Sequence, residues 1–171
     1  LEGIYFSVTI TLNGTDHPKV VRKLEVPDMT FADFHDAIQA AMGWENSHLH
    51  EFRIGREISL KPMVDPLGMP FDWGMDDDDS ADEAHVGLSE IPAELRRKIT
   101  YIYDFGDSWE HAIKLSEAKP MEPDVVYPRC VGGSGACPPE DCGGVWGYNE
   151  LLDILALPAA ERSPDDRERL E

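Results

Sequence analysis

Cationic residues are scarce in this chain. Lys and Arg total 15 against 34 Asp and Glu, a net charge of −19 over 171 residues. A protein that grips nucleic-acid phosphates presents a basic stripe, and one that docks on anionic lipid presents a basic face. This balance argues against both. Long apolar runs are absent as well, none approaching the roughly 20 residues a membrane-spanning helix needs. No basic-then-apolar leader follows Leu1, which is itself not a Met, and neither end enters the functional argument. Cysteines number three, Cys130, Cys137 and Cys142. An odd count without a secretion signal argues against a disulfide framework, and the expected location is a reducing cytoplasm.

Familiar catalytic signatures are also lacking. There is no Gly-x-Ser-x-Gly elbow. Asp104-Phe105-Gly106 looks like the magnesium motif of kinases, but the Gly-rich loop, paired Lys and catalytic loop that motif requires are missing. The glycines at 132, 133, 135, 143, 144 and 147 are not followed by the Lys-Ser/Thr of a phosphate loop, and acids lie among them.

What is present is an apolar fraction of 42%, enough to fill the core of one domain. Residues 4–12 alternate strictly, with Ile4, Phe6, Val8, Ile10 and Leu12 on one side. Period two over nine residues predicts a strand. Asn13-Gly14 supplies a turn, and Val20, Leu24 and Val26 continue on a second strand. Thr30, with Asp33 three residues on, predicts the start of a helix bearing Phe31, Phe34, Ile38, Ala41 and Met42, and Gly43 predicts its end. Residues 48–54 read as a third strand and 92–98 as a short helix. Ile99–Phe105 and Trp109–Leu115 alternate on either side of Gly106-Asp107, which predicts a second hairpin. Residues 120–139, rich in Pro and Gly, read as irregular, and Leu151, Leu152, Ile154 and Leu155 belong to a helix ending before Pro158. A further short helix is expected from Pro164. The expectation is one α+β domain over residues 1–171. Its sheet is mixed or antiparallel, its first half has the ββαβ order of a β-grasp, and its helices pack on one face.

Residues 62–88 stand apart in composition. Pro62, Pro66, Pro70, Gly68 and Gly74 accompany seven acids within residues 72–83, namely Asp72, Asp76 to Asp79, Asp82 and Glu83. Like charges in a block repel, so this segment is expected to be a solvated, mobile loop. It lacks the alternating Asp-x-Asp-x-Asp-Gly spacing of a calcium loop.

Two segments carry unusual residue choices: Tyr103-Asp104-Phe105-Gly106-Asp107-Ser108-Trp109-Glu110-His111, and Cys137-Pro138-Pro139-Glu140-Asp141-Cys142-Gly143-Gly144 with Gly147-Tyr148 beyond it. Together with Met42-Gly43-Trp44 and His48-Leu49-His50-Glu51-Phe52, they resemble the plasmid pRiA4b ORF-3-like proteins, in the order that family shows. His50 stands where the family pattern has a Tyr. The resemblance implies an α+β domain of uncharacterised function, from a family some of whose members sit on plasmids or beside transposable elements. It favours a non-enzymatic interaction or accessory module. A protein partner would carry basic or apolar surface, given the charge.

The alternative is a metal-dependent or acid/base enzyme using Asp104, Asp107, His111, Glu140 and Asp141 around one cleft. Adjacent acids in an extended loop point apart, so Glu140 or Asp141 would need Asp104 or Asp107 as its partner. Zinc takes thiolates and imidazoles at short spacings. Cys130, Cys137 and Cys142 with His111 form one such set, and His48 and His50 are other possible fourth ligands. The plainer readings stand beside these. The cysteines can be reduced and packed in a Gly-rich loop, Asp107 can cap a turn, and Trp109 and His111 can fill core.

Overall fold

The computed structural model describes residues 3–73 and 79–171. The acidic run at Asp76–Asp78 lies outside the described residues. Each period-two run forms a strand. The first hairpin is β1 (Ile4–Leu12) and β2 (Val21–Pro27), antiparallel with Phe6 opposite Val26 and Val8 opposite Leu24. Helix α1 (Phe31–Met42) follows. The Thr30 side chain accepts from the Asp33 amide at its start, and Gly43 closes it at φ 84°. Only a residue comfortable in the left-handed region ends a helix this way without strain.

Strands β3 (His50–Ile54), β4 (Ile58–Lys61) and β5 (Ala81–Asp82) come next. The second hairpin is β6 (Ile99–Tyr103) and β7 (Trp109–Leu115). Then follow β8 (Lys119–Pro120), β9 (Arg129–Ser134), α2 (Gly144–Ala156) and α3 (Pro164–Glu168). The described strands make one mixed sheet in the order β5-β4-β3-β6-β7-β1-β2-β9, with β8 on β1. The hairpin β6–β7 therefore lies between β3 and the first hairpin and completes the sheet. Among the described strands only β4–β5 is parallel.

One sheet face forms the core. Phe6, Val8, Ile10, Leu12, Phe52, Ile54, Tyr101, Tyr103, Trp109, His111 and Ile113 are buried on it. Helix α1 covers that face with Phe31, Phe34, Ile38 and Met42. Phe52 contacts both Phe31 and Phe34, at 4.9 and 5.9 Å between ring centroids. Burying side chains of this size contributes roughly 1.5–3 kcal/mol each, so the α1–sheet layer dominates the stability.

Three local expectations change. Residues 92–98 do not form an α-helix; a single 3-10 turn, Ala93–Leu95, leads into β6. Residues 120–139 include the edge strand β9, whose Gly-rich sequence hides the alternation. Residues 62–88 are not solvated throughout. Val64 bridges to Pro70, Leu60 and Lys61 pair with β5, and Glu83 is buried. The Glu83 carboxylate lies 2.8 and 3.0 Å from Nε2 of His50, a hydrogen-bonding partner inside the core layer. No helix among the described residues is long and apolar enough to cross a membrane.

Candidate functional site

Three loops meet beyond the end of β6. The first, residues 43–49, joins α1 to β3 and carries His48. The second is the β6–β7 turn, which opens with Asp104 at φ 58°, a conformation Asp tolerates better than most residues. The third precedes α2 and carries Glu140 and Asp141. Nε2 of His48 lies 2.9 Å from Oδ1 of Asp141, 3.6 Å from Oδ2 of Asp104 and 3.8 Å from Oε2 of Glu140. Ligand atoms of His48, Asp104 and Asp141 all fall within 4.8 Å of one another.

The carboxylates at this point are half committed. Asp104 uses Oδ1 to accept from the Gly106 amide at 2.9 Å, which leaves Oδ2 toward His48. Glu140 uses Oε1 to accept from the Glu45 amide at 2.8 Å and from the Tyr103 hydroxyl at 2.9 Å, which leaves Oε2 toward His48. Oε2 of Glu140 and Nε2 of His48 are buried atoms without a hydrogen-bond partner among the described residues. Buried polar atoms are almost always paired, so two orphans aimed at one point call for an explanation. Asp141 completes the group from the solvent side, its side chain 72% exposed. Burial, with the Glu140 carboxylate adding to it, raises the Tyr103 hydroxyl well above an ordinary phenol, so Tyr103 stays a donor to Glu140.

The structure brings together Asp104, Glu140 and Asp141 from the expected set, and separates the others from them. Asp107 is a clamp: its Oδ2 accepts from the Gly143 amide at 3.2 Å. Its backbone carbonyl would lie 2.7 Å from a Cβ at Gly144, so the loop before α2 can approach the hairpin only with glycine there. His111 is in the core with no exposed surface. Its Nδ1 faces the carbonyl of Tyr101 at 3.1 Å and its Nε2 faces the indole nitrogen of Trp44 at 3.4 Å. Both ring nitrogens are engaged, and the structure does not bring His111 together with Cys130, Cys137 and Cys142. Cys130 is exposed on β9, while Cys137 and Cys142 are partly buried behind Glu140. Burial pushes the Cys137 thiol up to about 12 and the Cys142 thiol up to about 11.

His48 entered the sequence argument only as a partner for thiols, and the structure gives it to the carboxylates. Reasoning from spacing also missed the network behind it. The Asn46 amide donates to Oε1 of Gln39 at 2.8 Å, Nε2 of Gln39 donates to the Tyr101 hydroxyl at 2.8 Å, and that hydroxyl lies 2.7 Å from Nδ1 of His35. Nε2 of His35 lies 2.8 Å from Oδ1 of Asn46, which closes the ring. The available sequence signal was Tyr101-Ile102-Tyr103, since alternate residues on a strand share a face.

This is a two-layer α+β protein with a histidine–carboxylate cluster at one end of its sheet. Residues 5–171 match the family described as plasmid pRiA4b ORF-3-like protein, and the chain belongs to that family. An uncharacterised protein of Sinorhizobium fredii, y4hQ, is 39% identical over 162 residues, covering 93% of this chain and 77% of its own. The crystal structure of MM3350 from Methanosarcina mazei Go1, a protein of unknown function, is similar over 99% of this chain and 89% of that one, with a TM-score of 0.82 and 30% identity.

Proposed function

We propose that the protein binds a divalent cation through Nε2 of His48, Oδ2 of Asp104, Oε2 of Glu140 and a carboxylate oxygen of Asp141. The observation that carries this is the convergence on one point of buried atoms of His48 and Glu140 that make no aligned hydrogen bond, with Nε2 of His48 within ion-pair distance of three carboxylates and each of Asp104 and Glu140 keeping one oxygen free. Three carboxylates around one imidazole repel one another, and a divalent ion removes most of that repulsion. Ligand–metal distances near 2.1 Å put neighbouring ligand atoms about 3.0–3.4 Å apart in octahedral or tetrahedral shells. The ligand atoms of His48, Asp104 and Asp141, all within 4.8 Å of one another, therefore close on an ion by small shifts, and Oε2 of Glu140, 3.8 Å from Nε2 of His48, must move further to join them. One imidazole with carboxylate oxygens suits zinc, manganese or ferrous iron better than calcium.

Cation binding requires no turnover, so the reading serves an accessory module as well as a metal-dependent enzyme.

Titration of the metal-free protein with Zn²⁺ and Mn²⁺ by calorimetry tests the site. Near-unit stoichiometry is expected. Asp104→Asn and Glu140→Gln each keep the oxygen that holds the loop, so they should fold while binding the ion more than about a hundredfold more weakly. Cys137→Ser should bind normally. Absence of stoichiometric binding, or loss in Cys137→Ser with retention in Asp104→Asn, overturns the proposal.

A further inference from the structure

A cleft of about 400 Å³ opens beside the cluster and shares His48 with it. Its walls include Leu49, Pro62, Val64 and Phe71, with Asn46 and Ser47 beside His48. The volume falls in the range of small-molecule sites, and the mixture of apolar wall and few polar groups is their usual lining.

The polar groups define what fits. The Asn46 backbone N–H can only donate, so the atom of Gln39 facing it is the carbonyl oxygen. The Gln39 amide nitrogen then donates to the Tyr101 hydroxyl, whose own proton goes to Nδ1 of His35. Nε2 of His35 is left carrying a hydrogen and donates it to Oδ1 of Asn46. The ring thus fixes the orientation of the Asn46 side chain, and its NH₂ group has no partner among the described residues. The cleft therefore presents a forced donor two residues from His48. Asp65, also on the wall, commits Oδ1 to the amides of Leu67 and Met69 at 2.9 and 2.8 Å.

We propose that this cleft binds a small monocarboxylic acid with an apolar body, its carboxylate on the His48-bound cation and the Asn46 amide, its body against Leu49, Pro62, Val64 and Phe71. The inference rests on the cation reading above. A cation on Nε2 of His48 would offset the charge of Asp104, Glu140 and Asp141, none of which lines the cleft, and would place positive charge beside the residue that the cleft and the cluster share. Acid binding should therefore require the metal, while metal binding should not require the acid.

The probe is 2-naphthoate, titrated calorimetrically into the full chain with and without Zn²⁺, alongside 2-naphthalenemethanol, which lacks the acid. Asn46→Asp keeps the acceptor for His35 and the backbone donor for Gln39, tolerates the φ of 53°, and replaces the free NH₂ with an oxygen. The expected result is zinc-dependent binding of 2-naphthoate, weak or no binding of the alcohol, and an affinity at least about tenfold lower in Asn46→Asp with zinc affinity retained. Zinc binding with no naphthoate binding, with naphthoate binding that ignores zinc, or with equal naphthoate affinity in Asn46→Asp overturns the cleft proposal and leaves the cation site standing. Failure to bind zinc overturns the cation site and this proposal with it.

Discussion

Two buried imidazoles, His35 and His111, should make the fold acid-sensitive well above the carboxylate range. Their partners force opposite neutral tautomers. At His111 a backbone carbonyl faces Nδ1 and an indole N–H faces Nε2, so Nδ1 carries the hydrogen. At His35 the hydrogen sits on Nε2, as the ring with Gln39, Tyr101 and Asn46 requires. Burial lowers both from 6.5 to about 4, and the neighbouring His50 adds to the effect at His35. In the unfolded chain both would take up a proton below about 6.5. Between that pH and about 4 the unfolded state binds more protons than the native one, so stability falls as pH falls. Between pH 7 and pH 5 each site contributes a loss of about 2 kcal/mol, roughly 4 kcal/mol together. Urea unfolding followed by tryptophan fluorescence at pH 7 and pH 5, at constant ionic strength, measures the loss. His111→Gln removes one of the two sites, so its pH-dependent loss should be about half that of the parent, whatever its stability at pH 7. Ring ¹⁵N shifts of the native protein should show both tautomers unchanged across this range. A native ring titrating near 6.5, or an equal pH-dependent loss in His111→Gln, would refute the reasoning.

Two further predictions concern packing and the thiols. A Cβ at Gly147 would overlap the carbonyl oxygen of Cys142, so Gly147→Ala must push α2 off its seat; a loss of about 3 kcal/mol, on the order of 10 °C in the melting temperature, is expected by thermal denaturation. Gly132→Ala, whose Cβ would meet nothing nearer than 3.8 Å, should melt within a degree or two of the parent, and equal effects of the two changes would undo the packing argument. Iodoacetamide at pH 8 should label exposed Cys130 at least about a hundredfold faster than Cys137 or Cys142, whose raised thiols leave little thiolate; peptide mapping that finds Cys142 labelled as quickly contradicts the burial assigned to it.

Much of the fold was legible because the core strands alternate so cleanly. Phe6 to Leu12 and Trp109 to Leu115 each place a buried residue at every second position, and Thr30 with Gly43 marks both ends of α1. Strand β9 was not legible. Its residues Arg129–Ser134 are all exposed, and it is held to β2 by backbone pairing that composition does not reveal. Glu83 was read with the acids around it as solvated, because charge patterning carries no information about a histidine 33 residues away. The cysteine set failed for a related reason. Short spacing brought the thiols together on paper, whereas Cys130 lies on an edge strand and His111 faces the core.

The histidine–carboxylate cluster was half legible for a reason that lies in β6. Tyr101 and Tyr103 alternate on the same face as the core, and each reaches past the sheet to hold a loop by its hydroxyl. Tyr101 closes the ring that fixes Asn46, while Tyr103 accepts from the Ser47 amide at 3.0 Å and donates to Glu140. Asp104 follows directly, its own backbone amide bound to the Leu49 carbonyl at 2.9 Å. The four residues Tyr101-Ile102-Tyr103-Asp104 therefore supply two anchors and one member of the cluster, and they tie loops 43–49 and 137–144 to the buried strand β6. Groups meant to hold an ion or a ligand need this support, because loops alone leave donor atoms too loosely placed. Spacing within a single segment shows the anchors. It cannot show that residues 48 and 140 answer to the same strand, since that depends on which strands the sheet places side by side.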